Sequence, residues 1–397
     1  MRIPRLVAAA GGLLLLFWAG HLLVPTTLAD TLNPSIQVHD PSRMVFSPED
    51  GRWYIFFTGN GTPFMWSEDK VNWNRQGGFS STDRVWPAAV DNFNYWAPDM
   101  WDTPIHGKYY LFYSQSSFGS QTSWIHVAST TSIAKPAAWV YEGFAINSVP
   151  SGPPRRYNAI DPCPYYDEAN DRLWLVFGSF WDGIFIKELN PHDPTEQIEP
   201  DVPPIFLAGG RRPDPPNSIE GGYVFKRGDW YYLVVSVDTC CSGGNSTYKQ
   251  IVGRSTAITG PYLDRDGVDL RTYGGTIFTA GGGPEIGPGQ FALYDLNGVD
   301  RFTYHFYTGL GGQARLGGRA IDWDDGGWPL AVFAGPALEG MYRIQRQSTP
   351  LYLHARDEST DPSVEGRVEQ DALGTRKSQN WFFFPTTSPG GDTSYRI

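Results

Sequence analysis

A polar turn followed by a strand dense in aromatic residues is written five times into this chain, and no other feature limits the fold so tightly. The middle copy lies in the stretch Tyr157 to Gly183, where a turn at Asp167–Asp171 runs into Leu173–Phe177. The others are GRWYIFFTG from Gly51, GKYYLFYS from Gly107, GDWYYLVVS from Gly228 and RFTYHFYTG from Arg301. Their starts are separated by roughly 55 to 75 residues, the scale of one small sheet per copy. A four-stranded sheet of that size cannot bury both faces alone. Sheets packed face to face around an axis can, and they leave only short, protected edges. The expected fold is all-β: a five-bladed β-propeller, with a short C-terminal β extension. A site on the axis then draws its residues from distant parts of the sequence.

Composition agrees with many short strands joined by turns. Aromatic residues make up 15% of the 397 residues, and 45 Gly and 32 Pro supply the turns. A net charge of −11 argues against a nucleic-acid partner, because phosphate binding rests on clustered Lys and Arg. Abundant aromatics with few charges suit neutral sugar rings, although most of these rings are expected in the blade cores.

Met1 to Ala29 carries Arg2 and Arg5, an apolar run from Leu6 to Leu23, and small residues at Thr27-Leu28-Ala29. The pattern is that of a secretory signal peptide, with an uncleaved signal anchor as the alternative. The chain is therefore expected outside the cell, as a monomer with no membrane contact once the leader is removed. With only Cys163, Cys240 and Cys241, no disulfide framework holds the fold. Cys240 and Cys241 could pair with each other, or one of them with Cys163.

The expected boundaries are 1–29 for the leader, 30–335 for the propeller and 340–397 for the extension. In the extension, short strands are expected at Tyr342–Ile344, Leu351–Leu353, Val368–Gln370 and Gln379–Phe382, with Tyr395–Ile397 starting the pattern again. It resembles the first repeat of a ricin-B-like β-trefoil. A divergent tail packed on the propeller is the other reading.

Three acidic residues stand at blade entrances beside an apolar residue or a proline: Asp40 in VHDPS, Asp161 in AIDPC and Glu220 in SIEGG. Gathered at one pole of the axis and partly desolvated, such carboxylates raise one another's pKa, so one can keep its proton while another stays ionised. Glycoside hydrolysis needs that pairing of acid and base. Each residue taken alone could instead cap a turn. Asp99 in WAPD has similar neighbours and is expected to fix a loop or support the site without transferring protons.

The ordered set HDPS, WAPD, NAIDP followed by VFGSFWDG, SIE, CCSGGNSTYKQIVGRS and GPGQ resembles glycoside hydrolase family 43, in particular its arabinan endo-1,5-α-L-arabinosidases. The match runs in order from about Ser35 to Trp323. The resemblance implies Asp40 as general base, Glu220 as general acid, and Asp161 as the carboxylate that tunes and orients the acid. It implies inversion, with base and acid about 6.5–9.5 Å apart. It also implies that His39 and Asn158 flank the site, that Trp96, Phe118 and Trp181 line the arabinan groove, and that Ser179 is a polar contact at the cleavage position. The partner it implies is arabinan or another arabinose-containing plant polysaccharide.

Two departures stand out. The family's arabinanases carry Gly-Pro-Gly-His, whose His helps to hold a metal ion or water cluster on the axis, and this chain has Gln290 there. An amide oxygen suits calcium but cannot be charged as imidazole can, so a structural or axial calcium at Gln290 is an expectation, with no cofactor otherwise required. Gly221-Gly222 replaces the commoner Ala-Pro and is expected to loosen the backbone behind Glu220. An exo-acting arabinofuranosidase or xylosidase on the same scaffold, or a non-catalytic glycan-binding propeller, are the alternatives.

Overall fold

The computed structural model describes residues 36–331 apart from 76–77, 80–94, 150–155, 210–217, 282–284 and 309–311, together with short strands between 340 and 396. Each aromatic phrase becomes the second strand of an antiparallel meander. Blade one is β1 (Val45–Ser47), β2 (Arg52–Phe56), β3 (Phe64–Ser67) and β4 (Trp73–Arg75). Blade two is β5 (Tyr95–Met100), β6 (Tyr109–Gln115), β7 (Trp124–Thr130) and β8 (Val140–Asn147). Blade three is β9 (Cys163–Asp167), β10 (Arg172–Phe177), β11 (Gly183–Asn190), β12 (Asp193–Gln197) and β13 (Ile205–Gly209). Its outer edge is split, since β13 pairs with the first half of β11 and β12 with the last residues. Blade four is β14 (Ile219–Arg227), β15 (Trp230–Val237), β16 (Lys249–Ser255) and β17 (Thr276–Thr279). Blade five is β18 (Ile286–Leu296), β19 (Val299–Tyr307), β20 (Ala314–Trp323) and β21 (Pro329–Ala331).

The five sheets form a five-bladed β-propeller. First strands of neighbouring blades touch, β5 with β9, β9 with β14 and β14 with β18, so these strands line the axis. The aromatic second strands are buried because both of their faces meet a neighbouring blade. Tyr54 and Phe56 of blade one lie in one such seam with Tyr109, Leu111, Tyr113 and Trp139 of blade two. The ring is closed without a covalent staple. Gln37 bridges to Arg315, and Val38 N–H donates to the Ala314 carbonyl, so the start of the described chain pairs with β20 of the last blade. Val38, Ile55 and Phe57 bury against Tyr294 and Leu316 to fill that final seam.

One buried bolt crosses the axis below the pole. Arg43 Nη2 lies 3.0 Å from Asp99 Oδ2, its Nε donates to the same carboxylate, and its backbone N–H donates to Asp99 Oδ1. The guanidinium also donates to the Pro164 carbonyl and sits over the rings of Trp101 and Tyr223. Blades one to four are thereby joined through a single side chain. The role expected for Asp99, support without proton transfer, fits this setting. Cys163 is the free, buried thiol 3.4 Å from Arg43 Nη2, and the disulfide joins Cys240 to Cys241.

Beyond the propeller, strands at Gly340–Tyr342, Tyr352–Ala355, Val368–Asp371, Trp381–Thr387 and Thr393–Arg396 occupy the region where short strands were expected. The leader, Met1 to Ala29, lies outside the described residues.

Candidate active site

The pole of the axis is built from one repeated backbone device. At the entrance of each blade one residue adopts a left-handed conformation: Asp40 (φ 50), Ala97 (φ 41), Asp161 (φ 57), Gly221 (φ 60) and Gln290 (φ 56). In blades two, four and five the ladder slips by one residue there, a bulge that turns the strand inward. The N–H freed by the turn is captured by the end of the second strand of the preceding blade. Ala97 donates to Thr58 Oγ1, Asp161 to Ser114 Oγ, Gln290 to Ser236 Oγ and Asp40 to His305 Nδ1. Blade three offers only Gly178 at that position. The N–H of Gly221 therefore donates to Asp161 Oδ2 instead, at 3.1 Å. The one ring position without a side-chain acceptor is what couples Asp161 to the backbone directly after Glu220.

Gly221 and Gly222 are fixed in place, not loosened as expected. A Cβ on Gly221 would lie 2.8 Å from Gln290 Oε1, and one on Gly222 would lie 2.7 Å from Ile184 Cγ2. Only glycine lets the strand carrying Glu220 approach both neighbours.

The carboxylates fall into two electrostatic groups. Asp40 lies 2.7 Å from His39 Nδ1 and accepts from Thr58 Oγ1 at 2.6 Å. Burial would raise its carboxyl, but the charge of His39 and contacts with both imidazoles outweigh this and hold it far below the usual carboxylate range. His39 stacks on His305 with ring centroids 3.9 Å apart. Burial opposes a charge on His39, yet Asp40 and then Glu220 raise its pKa. Burial, then the charge of His39, pushes His305 down to about 4. The stacked imidazoles are thus shifted in opposite directions, His39 toward its charged form and His305 toward the neutral one, and neutral His305 can accept the Asp40 N–H.

Glu220 and Asp161 are shifted the other way. Glu220 accepts from Ser179 Oγ at 2.7 Å and Tyr248 Oη at 2.9 Å, but burial outweighs both donors and its pKa is raised. Asp161 is raised well above the usual range by burial and then by the charges of Glu220 and Asp40, against the single donor Gly221. The two carboxyls titrate as a pair, and the pair holds a proton at a pH where Asp40 is ionised. Tyr248 stacks on His305 at 5.9 Å, so both groups share one pocket.

The expected residues separate into three sets. His39, Asp40, Asp161, Ser179 and Glu220 converge. Gln290 reaches the same pole, buried, with its carbonyl accepting from Gln250 Nε2. Asn158 is buried, but its side chain accepts from Ser123 and Ser148, and its carbonyl from Ile160 N–H, so it shapes the turn beneath Asp161. Trp96 is half-buried beside Ala97, whereas Phe118 and Trp181 are 88% and 38% exposed. Tyr248, His305, Tyr307 and the ring of Thr58, Ser114 and Ser236 were not singled out from the sequence. The last three end the aromatic phrases (FFT, FYS, VVS), so a register comparison of the repeats would have found them. Tyr307 joins His39 Nε2, 2.8 Å away, to the Cys240–Cys241 turn, whose Cys241 N–H donates to its hydroxyl.

Calcium seeks six to eight oxygens. Gln290 Oε1 beside Gly221 is a single neutral oxygen, and Asp40, Asp161 and Glu220 already accept from protein donors. These residues do not make a calcium cage, and no chemical step is assigned to a metal.

A bulged inner ring carrying one ionised carboxylate and one proton-holding pair defines a class of hydrolase, and comparison with known proteins agrees. The profile of glycosyl hydrolases family 43 matches residues 31–329, and the chain belongs to that family of glycoside hydrolases. It is 35% identical over 312 residues to an extracellular exo-α-(1→5)-L-arabinofuranosidase of Cellvibrio japonicus, covering 74% of this chain and 86% of that one. It is 38% identical over 299 residues to an extracellular endo-α-(1→5)-L-arabinanase of Bacillus subtilis, covering 74% and 87%. The solved structure of a Cellvibrio cellulosa α-L-arabinanase complexed with arabinohexaose superposes with a TM-score of 0.65 at 34% identity, over 75% of this chain and 96% of that one.

Proposed function

We propose that this enzyme cleaves α-1,5-linked L-arabinofuranosyl bonds of arabinan by a single displacement that inverts the anomeric centre. The observation that carries the reading is the split in charge state within one pocket. Asp40 is held ionised while the Asp161–Glu220 pair keeps a proton. Asp40 takes a proton from water as its oxygen attacks the anomeric carbon. Glu220 gives its proton to the departing glycosidic oxygen as that bond breaks. Asp161 shares the proton with Glu220 and, through Gly221 N–H, fixes the backbone that aims it. His39 carries the charge that keeps Asp40 basic only weakly, so water must be activated by position as much as by proton affinity.

Attack within the chain is supported by aromatic rings left exposed at Phe118 and Trp181, which suit an open groove. Attack from the end is the second reading, favoured by the name of the Cellvibrio japonicus relative. The product distribution on linear arabinan separates them. Oligosaccharides of mixed length are expected; arabinose or one short oligosaccharide alone would establish the exo mode, and no release would overturn the substrate.

Secretion is part of the same proposal. It is supported by the pattern of Met1 to Ala29 and by the word extracellular in the names of both relatives. The mature protein is expected to begin at Asp30, which the N-terminal mass of protein recovered from medium would verify. The division at 335–340 into a propeller and a trefoil-like, sugar-binding start is a proposal tested by truncation near Pro336, which should leave activity on short oligosaccharides intact.

A further inference from the structure

Of the five second strands, β19 runs furthest past the ring of residues that capture the N–H groups of the pole. β2 and β10 stop before Thr58 and Gly178, β6 and β15 run one residue beyond Ser114 and Ser236, and β19 runs two residues beyond His305, to Tyr307. Its register with β20 is regular over those residues, so Tyr307 and His305 project from the same side of the strand. Both rings meet His39, whose centroid lies 3.9 Å from that of His305 and 6.0 Å from that of Tyr307. The Tyr307 side chain is buried, but Phe302 and Phe306 of the same strand are buried without a hydroxyl, so filling the seam does not call for one.

That hydroxyl has three polar neighbours. Cys241 N–H donates to it at 3.0 Å, His39 Nε2 lies 2.8 Å away and His305 Nε2 lies 3.5 Å away. A phenolic oxygen accepts and donates. The backbone of Cys241 takes one lone pair, which leaves a second lone pair and one hydrogen for the imidazoles. When His39 is charged, its Nε2–H donates to the remaining lone pair. When His39 is neutral, with its proton on Nδ1 toward Asp40, the Tyr307 hydrogen turns to the bare Nε2. The same oxygen therefore serves both states of His39 without movement of the ring. Cys241 Sγ, 3.7 Å from Nε2, is a poor substitute, since a bridged sulfur has no hydrogen to give and accepts weakly.

The donor that pins this oxygen is itself held. The Cys240–Cys241 disulfide closes the turn, and Cys241 is left-handed at φ 63. Ser242 N–H donates to Ser246 Oγ, Thr247 N–H to the Thr239 carbonyl, and Thr239 N–H to Thr247 Oγ1. A Cβ on Gly243 would lie 2.7 Å from Gly312 Cα, so the turn is docked on the loop between β19 and β20.

We propose that Tyr307, pinned by the backbone of the Cys240–Cys241 turn, is a positioning residue of the hydrolytic site: its hydroxyl holds His39 Nε2 and so keeps the imidazole against Asp40. This role rests on Asp40 acting as the base. The titratable groups that face His39 are Asp40 beside it, His305 and Tyr307 from β19, and Glu220 from β14, with Tyr248 of β16 stacked on His305. Asp40 engages the Nδ1 end of the imidazole and Tyr307 the Nε2 end.

Tyr307→Phe removes the hydroxyl and keeps the ring. A hydrogen bond to a charged group is worth more than one to a neutral group, so its loss disfavours the charged imidazole. The titration of His39 can be followed by NMR in the mature protein with isotope-labelled histidine, its signal assigned by its loss in His39→Gln. In Tyr307→Phe the midpoint should fall by at least about half a pH unit, about threefold in the protonation equilibrium. kcat should fall by about tenfold or more with KM little changed, and equally on linear arabinan and on activated aryl arabinofuranosides, because the water-activating side is the one disturbed. Cys240→Ser with Cys241→Ser opens the turn and should move the midpoint in the same direction, which preserves the test if Tyr307→Phe does not fold. The proposal is overturned if the midpoint is unchanged or raised in folded Tyr307→Phe, or in the double variant where that protein does not fold. It is also overturned if kcat is unchanged, or if its loss is confined to arabinan. Wild-type protein that hydrolyses neither substrate would instead sink the assignment of the reaction, and the His39 midpoint would still decide whether Tyr307 holds that imidazole.

Discussion

Two buried sets of carboxylates lie on the same axis and differ in one respect. Asp99, below the pole, faces a guanidinium: Arg43 meets it with both its backbone and its side chain. Asp161 and Glu220, at the pole, face only neutral donors: one N–H for Asp161, and the hydroxyls of Ser179 and Tyr248 for Glu220. Burial raises the Asp99 carboxyl as well and Arg43 offsets only part of that, but Arg43 is itself raised by Asp99 in spite of burial, and three side-chain contacts and a backbone N–H bind the two together. The bidentate pair is the ionised ground state. At the pole His39 is paired with Asp40 and lowers Glu220 only as a minor influence, so burial prevails in the pair and a proton is kept. Desolvation is common to both; the partner decides whether a carboxylate braces the fold or stores a proton.

The largest effect expected from breaking this contrast is catalytic. Asp40→Asn removes the one carboxylate held ionised and should lower kcat by about 10²–10⁴-fold on polysaccharide and on activated aryl glycosides alike. A loss confined to either substrate would separate Asp40 from water activation.

Breaking the bolt should act on stability. Arg43→Met leaves Asp99 buried without its cation, which is expected to cost about 3–5 kcal/mol, while the double change Arg43→Met with Asp99→Leu should recover much of that. Denaturant unfolding of both variants measures it. Equal losses in the single and double variants would show that the apolar part of Arg43 over Trp101 and Tyr223, not the pairing, holds the blades.

A smaller and more selective effect belongs to Glu220→Gln. Substrates with poor leaving groups should slow by about 10²-fold or more relative to activated aryl glycosides, which need little help from an acid. Equal losses on both would remove Glu220 from the acid role.

These contrasts were unevenly legible in the sequence. The blades were readable because each writes its buried strand as an aromatic phrase, and the pole carboxylates because each sits at a blade entrance in a recognisable string. Arg43 was not, since nothing in PSRMVF marks an arginine that will be buried against residues 56 and 120 positions away. Gly178 was equally silent. Its importance is the absence of a side-chain acceptor, and an absence has meaning only once the ring of Thr58, Ser114, Ser236 and His305 is assembled. Gly221-Gly222 misled for a related reason: glycine reads as freedom locally, whereas here the approach of Gln290 and Ile184 requires it. Aromatic side chains were the weakest sequence guide, because composition does not separate a ring in a seam from one at a rim.

The smallest expected effect sharpens the comparison most, because its sign is opposite for the two carboxylate sets. Asp161 has a folded pKa raised above its unfolded value, so the folded state binds the proton more tightly than the unfolded chain does. Between those two values the folded state holds more protons, and stability falls as pH rises; above the folded value the full penalty is present. Asp161→Asn removes that titration. It should therefore flatten the fall in stability with rising pH and, near neutrality, stabilise the protein by about 1–2 kcal/mol while crippling hydrolysis, the exchange expected where function keeps a buried charge without a partner. Asp99→Asn should do the reverse, leaving Arg43 unpaired and lowering stability at the same pH. Unfolding free energies measured for the two variants from pH 5 to pH 9 give the check. If Asp161→Asn destabilises as Asp99→Asn does, with a pH dependence like that of the wild type, Asp161 is braced as firmly as Asp99 and the division between bracing and proton-storing carboxylates falls.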